Sequence, residues 1–275
     1  MLKMRIITAL ILISAVVGGI FYMTAPVSAV VLTLICLLAA YEWLHIVGAR
    51  LIQSVSFYAL LLLGCYSFYR IEGVAEAALG LALVGWGVAF VWILAYQKGH
   101  VFWPRSAFFN TVIGLWVILP MWAGLYLLLN QTGAIGPQLT LFLLVIIWSA
   151  DICAYFSGPY LCRHFGRHLL ASRVSPGKTW EGVLGAFIGT GLIAYGVLHV
   201  FFATYVPISG FFILVLIIVA VSIVGDLFES MVKRNYGKKD SSQLLPGHGG
   251  VLDRLDSLTA AAPVFAWAYF QFFAG

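Results

Sequence analysis

Charge is scarce in this sequence: only 9% of its 275 residues are Asp, Glu, Lys or Arg. A soluble domain carries about 25%. Together with 63% hydrophobic residues and a mean hydropathy of +1.03, the shortage excludes a soluble globular protein and indicates an integral membrane protein. Cysteine is also sparse. Cys36, Cys65, Cys153 and Cys162 show neither CxxC nor His-paired spacing, so a zinc site and a disulfide framework are excluded and small buried apolar residues remain. The long apolar runs lack period-two alternation, which argues against a membrane barrel and for an all-α helical bundle. No stripe of basic and aromatic residues marks a nucleic-acid partner. The GKT of residues 177–179 lacks the first glycine of a P-loop, since Ser172 stands in that place, and no strand is expected before it.

What is present is apolar sequence in nine runs: Ile6–Tyr22, Val27–Val47, Val55–Tyr69, Val74–Tyr96, Val112–Leu129, Leu139–Phe156, Val183–Ala203, Phe211–Leu227 and Leu258–Phe273. Each is near the ~17–25 residues that cross a bilayer as a helix. The third is the shortest, bounded by Gln53 and Arg70, so a re-entrant or tilted segment is an alternative there. Lys3, Arg5, the first apolar run and Val27-Ser28-Ala29 together resemble a signal peptide. The run exceeds a signal h-region of ~7–15 residues and hydrophobic sequence resumes at Val30, so a retained first span is expected.

Assigning the loops alternately puts Lys3, Arg5, Arg50, Lys98, Arg105, Arg163, Arg167, Arg173, Lys178, Lys233, Arg234, Lys238, Lys239 and Arg254 on one side, and only Arg70 on the other. Fourteen cations against one predict nine spans with a cytoplasmic N-terminus. The loops after spans six and eight are then cytoplasmic, where the basic excess suits anionic headgroups or an anionic substrate.

Residues 1–150 hold nine of the 25 charged residues and no motif, and read as a transmembrane scaffold; residues 151–275 read as the catalytic region. Asp151, with Tyr155 one turn later and a break at Gly158-Pro159, is either a functional acid or an Arg-paired structural one. Ser175, Lys178 and Thr179 flank a Pro176-Gly177 turn able to face phosphate, or else belong to a solvated turn before a helix with Glu181 in its first turn. Asp226 and Glu229 lie one turn apart, as do Asp253 and Asp256. Four carboxylates beside Lys and Arg suit Mg²⁺ held together with a polyphosphate. Within PGHGG, His248 is a phosphate donor, a general acid or a structural histidine, and Gly249 and Gly250 permit close backbone approach.

The stretch SMVKRNYGKKDSSQLLPGHGGVLDRLD, Ser230 to Asp256, resembles the signature of the phosphatidate cytidylyltransferases, also called CDP-diacylglycerol synthases. Ser230, Lys233, Arg234, Lys239, Asp240, His248, Gly249, Gly250, Asp253, Arg254 and Asp256 occupy its positions. Asp151 to Gly158, Phe165-Gly166 and SPGKTWEG also look like that family.

The resemblance implies transfer of CMP from CTP to phosphatidic acid with Mg²⁺, in a homodimer, while short loops and the lack of targeting extensions suit a bacterial inner membrane. It also implies that Asp226, Asp253 and Asp256 bind metal, and that Lys239, Lys233, Arg234 and Lys178 contact phosphate. Lys239 and His248, with Asp253 and Asp256, form the expected catalytic set; Ser175, Thr179 and Arg254 join the phosphate contacts. A CTP-dependent lipid-alcohol kinase and an ion-coupled transporter are the rival readings. A CDP-alcohol phosphotransferase is not among them, because DGxxAR is missing and the acids are spaced DxxD.

Overall fold

The computed structural model describes every residue except 1, 101, 134, 203–206, 246–248 and 275. Among the described residues it contains nine α-helices: α1 (Leu2–Tyr22), α2 (Ala25–Val47), α3 (Leu51–Arg70), α4 (Val74–Gln97), α5 (Ala107–Leu129), α6 (Ile135–Phe165), α7 (Trp180–Val197), α8 (Ile208–Asn235) and α9 (Leu252–Phe272). A π-helical turn, Leu198–Phe202, continues α7. The chain is a polytopic, multi-pass membrane protein. Seven of the helices, α2 to α8, are long and apolar enough to cross a bilayer. In α1 the side chains of residues 2–10 and 12 lie outside the described residues.

The ninth helix fails that measure because it is a core element. Every residue from Ser257 to Ala266 is buried, and α9 packs against α2, α4, α5, α6 and α8. A helix walled by protein can use Ala, Ser and Thr where a lipid-facing one would need Leu, and small residues bring backbones close. Gly124 of α5 meets the Ala262 backbone, where a Cβ would lie 2.8 Å from its carbonyl group. Gly225 of α8 meets Asp256 O at 2.5 Å by the same measure, which sets Asp226 and Glu229 beside the first turns of α9. Against α6, the stripe Gly182, Gly185 and Gly189 of α7 fits over Cys153, Ala154, Ser157 and Gly158.

The third run is a continuous 20-residue helix, Leu51–Arg70, long and apolar enough to be the span expected there. Two expectations are corrected. No break occurs at Gly158-Pro159: α6 runs 31 residues through Pro159. Proline there removes one N–H and crowds the preceding turn, but close packing against α7 at Gly158 holds the helix together. Lastly, Ser175 to Thr179 is not a turn but a strand. β2 (Ser175–Thr179) pairs antiparallel with β1 (Leu169–Ala171), with Leu169 opposite Thr179 and Ala171 opposite Ser175. Helical runs dominated the reading of the sequence, and a two-stranded ribbon this short carries no periodic signal.

A polar hub locks the N-terminal half to the end of α8. Asn110 Oδ1 accepts from Trp103 Nε1 at 3.1 Å and Tyr236 Oη at 3.0 Å, while its carbonyl accepts from Trp43 Nε1 at 3.0 Å. Asn110→Ala would leave two half-buried donors without their acceptor and should cost about 1 kcal/mol. Thermal unfolding in detergent measures it; an unchanged midpoint would show that the hub carries no stability.

Candidate active site

The charged ends of α8 and α9, the middle of α6 and the β1–β2 hairpin converge on one region. Thr179 closes the hairpin and caps α7, its hydroxyl accepting from Gly182 N at 3.2 Å. Glu181 is buried in the first turn of α7 and accepts from the His168 backbone N–H at 3.2 Å. His168 Nδ1 approaches the same carboxylate at 2.5 Å. Glu181 therefore anchors the hairpin, and Thr179 caps the helix as the solvated-turn alternative for this segment required. Lys178, next to the cap, instead reaches Asp226 of α8 as an ion pair. Ser230 supports Asp226 from one turn away, its hydroxyl donating at 3.3 Å. Ser175, half-buried in β2, is opposite Ala171 in the strand pairing.

A second ionic group lies further along α8. The Lys233 amine sits 2.5 Å from Asp253 Oδ1 and 3.0 Å from Glu229 Oε1, with all three side chains no more than 10% exposed. Asp253 also accepts from Gly250 N at 2.9 Å and Ser241 N at 3.0 Å. A buried carboxylate is tolerable under these conditions, with a cation and backbone donors replacing water. Gly249 takes φ +82°, and a Cβ there would stand 2.9 Å from Asp253 Oδ2, so glycine is needed for both conformation and space.

Asp256 joins the two groups. It lies within electrostatic reach of Asp226, Lys178 and Asp151, and Glu229 feels Asp256, Asp253 and Lys233. Arg254 interacts with Asp151. Five carboxylates thus face three cations, Lys178, Lys233 and Arg254. Neither buried oxygen of Glu229 has a hydrogen bond of good geometry, despite the ion pair. Surplus negative charge and an under-satisfied carboxylate are what a divalent cation would offset. Among the described residues no three potential ligands enclose an ion by themselves. A divalent cation here would have one or two carboxylates as ligands, with phosphate and water in its other positions, the manner in which Mg²⁺ is commonly held.

Asp151, Tyr155, Lys178, Thr179 and Arg167 line a cleft of about 570 Å³ between α6, α7 and the hairpin. Its remaining lining is mainly small or apolar, including Ala150, Ala154, Gly158, Gly182, Val183 and Ala186. The other basic residues are placed differently. Arg234 spends its guanidinium on the backbone carbonyls of Val174 and Lys238, both at 3.3 Å, tying the hairpin to the signature loop. Lys239 and Asp240 are exposed and line a separate hollow of about 450 Å³ with Tyr41, His45 and Lys238. Desolvation there draws the Lys238 amine below the ordinary lysine pKa. His248 lies outside the described residues.

Residues 3–273 match the cytidylyltransferase family. The chain belongs to that family. A phosphatidate cytidylyltransferase of Pseudomonas aeruginosa is 44% identical, the alignment covering 98% of each chain. That of Haemophilus influenzae is 40% identical over 98% of this chain and 99% of the relative, and that of Thermotoga maritima 31% identical over 96% and 94%. The family match extends through the N-terminal half, where sequence reasoning found only apolar character.

That half also supplied the residue the reading missed. Glu42 of α2 is fully buried and binds the signature loop through four hydrogen bonds. The available signal was a lone carboxylate inside the apolar run Val27–Val47, which is costly unless paired or functional.

Proposed function

We propose that this protein transfers the cytidylyl group of CTP to phosphatidic acid, forming CDP-diacylglycerol and releasing pyrophosphate, with Mg²⁺ as cofactor. The observation that carries the reading is a cleft in which mainly small and apolar residues share the lining with Asp151, Arg167 and Lys178, the last paired to Asp226 of the acid cluster. The small-residue lining suits the glycerol and acyl chains of a lipid, while Lys178 and Arg167, with the acids next to them, suit phosphate and metal.

The phosphate of phosphatidic acid has a second pKa near ~6 and is largely dianionic at neutral pH, so its oxygen attacks the α-phosphorus of CTP without a general base. The bond from that phosphorus to the bridging oxygen breaks, and pyrophosphate leaves with the electron pair. Most of the protein's work is then alignment and charge compensation. Asp226, Asp253 and Asp256 would hold Mg²⁺, which when bound supplies positive charge to the phosphate oxygens. Lys178, which lines the cleft and pairs with Asp226, would exchange that carboxylate for a phosphate oxygen. Lys233 keeps Asp253 ionised and in position.

The excess of fourteen cations on one side supports a cytoplasmic site, where CTP is available and phosphatidic acid can arrive laterally from the inner leaflet. The bacterial relatives support an inner-membrane location. A homodimer accompanies this reading through the family resemblance.

Detergent-purified protein incubated with CTP, phosphatidic acid and Mg²⁺ should form equal amounts of CDP-diacylglycerol and pyrophosphate. Chelation should stop both, and added Mg²⁺ restore them. CDP with a phosphorylated lipid alcohol would indicate a kinase instead, and neither product from a folded sample would favour transport.

A further inference from the structure

Glu42 lies about 200 positions before the residues it touches. Its Oε1 accepts from Ser242 Oγ at 2.5 Å and Val251 N at 2.8 Å. Its Oε2 accepts from Ser241 Oγ at 2.8 Å and Leu252 N at 2.6 Å. One carboxylate therefore joins Ser241 and Ser242, near one end of the segment between α8 and α9, to Val251 and Leu252 at the other. It also caps the α9 N-terminus from another helix, satisfying N–H groups that begin without partners and placing negative charge against the positive end of the dipole.

The same atoms lead on to Asp253. Ser241 donates its hydroxyl to Glu42 and its backbone N–H to Asp253. Gly250 donates its N–H to Asp253, and a Cβ at Gly250 would collide with both Ser241 Oγ and Glu42. Movement of Glu42 would thus displace two of the backbone donors that orient Asp253, as well as the turn of α9 that carries it.

We propose that Glu42 is a positioning residue for the reaction: it holds the signature loop in the register that orients Asp253, so the N-terminal half sets the geometry of the C-terminal site. The proposal rests on the cytidylyl-transfer reading for its rate effect, but not for its effect on the loop.

Glu42→Gln tests it in the full-length protein. Each carboxylate oxygen takes one hydroxyl and one backbone N–H. Whichever way the amide turns, its NH₂ must oppose Val251 N or Leu252 N, while a serine hydroxyl can rotate to accept. Amide hydrogen exchange over residues 241–253 should quicken by at least about tenfold with the other helices unchanged. With protein content normalised to folded molecules, kcat should fall about 10–100-fold, the range for losing a group that orients a metal-binding residue. The Mg²⁺ concentration for half-maximal rate should rise, with little change in KM for CTP.

Unchanged loop protection and kcat would overturn the proposal. So would uniform loss of protection with normal kcat per folded molecule, which indicates general stabilisation only. Should Glu42→Gln not fold, Ser242→Ala keeps the charge and three of the four bonds; it should quicken local exchange and lower kcat severalfold, and no change in either would overturn the proposal. Failure of the wild type to make CDP-diacylglycerol would defeat the functional reading, leaving hydrogen exchange alone to judge the loop register.

Discussion

Asp253→Asn is expected to lower kcat by at least about a thousandfold, the upper range for losing one group that stabilises transition-state charge. The substitution keeps size and shape, so its effect is electronic and geometric. Asp253 Oδ1 receives the Lys233 amine at 2.5 Å, and Oδ2 receives Gly250 N at 2.9 Å and Ser241 N at 3.0 Å. An amide has one acceptor oxygen. Its NH₂ group would face either the ammonium or the two backbone donors, so the side chain must rotate or the loop must shift. Charge is lost as well: five carboxylates facing three cations become four, weakening the site for a divalent ion. The measurement is CDP-diacylglycerol formation by variant protein that remains monodisperse and helical. Near-normal turnover in such a sample would remove Asp253 from the chemistry.

Lys233→Met should produce the largest loss of stability, about 3–5 kcal/mol, because it leaves two carboxylates without their shared cation in a dry setting. Lys233 is 9% exposed, Glu229 6% and Asp253 10%. Methionine preserves much of the aliphatic length, so the cost is that of unpaired charge more than of a cavity. Pairing Lys233→Met with Glu229→Gln removes one stranded charge and should recover a substantial part of the unfolding midpoint without recovering activity. Thermal unfolding of the single and double variants measures both effects. A single variant with the wild-type midpoint would mean that water or rearrangement already screens these acids, contrary to their burial.

The acids of the candidate site could be read from the sequence because their charges stand out against an apolar chain. Asp226 with Glu229, and Asp253 with Asp256, were legible as one-turn pairs. The structure adds which charge answers which: Lys178 goes to Asp226, and Lys233 to Asp253 and Glu229. Lys233 and Arg234 looked alike as phosphate contacts, yet the first is buried among acids and the second binds two carbonyls. Linear spacing contains no information about approach from another helix, and that is what separates such neighbours.

The division into scaffold and catalytic region was natural on charge density alone. It overlooks Glu42, whose single charge adds little to any count but whose two oxygens receive four donors from the signature loop.

Sequence by itself determined the membrane class, the helical architecture, the family resemblance and the acids and bases available, since these depend on composition, on runs long enough to span lipid and on local spacing. Tertiary structure alone decided that α9 is a buried core helix, that Ser175 to Thr179 forms a strand, and that Glu42 reaches the signature loop. Each depends on close helix crossings at small residues such as Gly124 and Gly225, which join positions far apart in the chain.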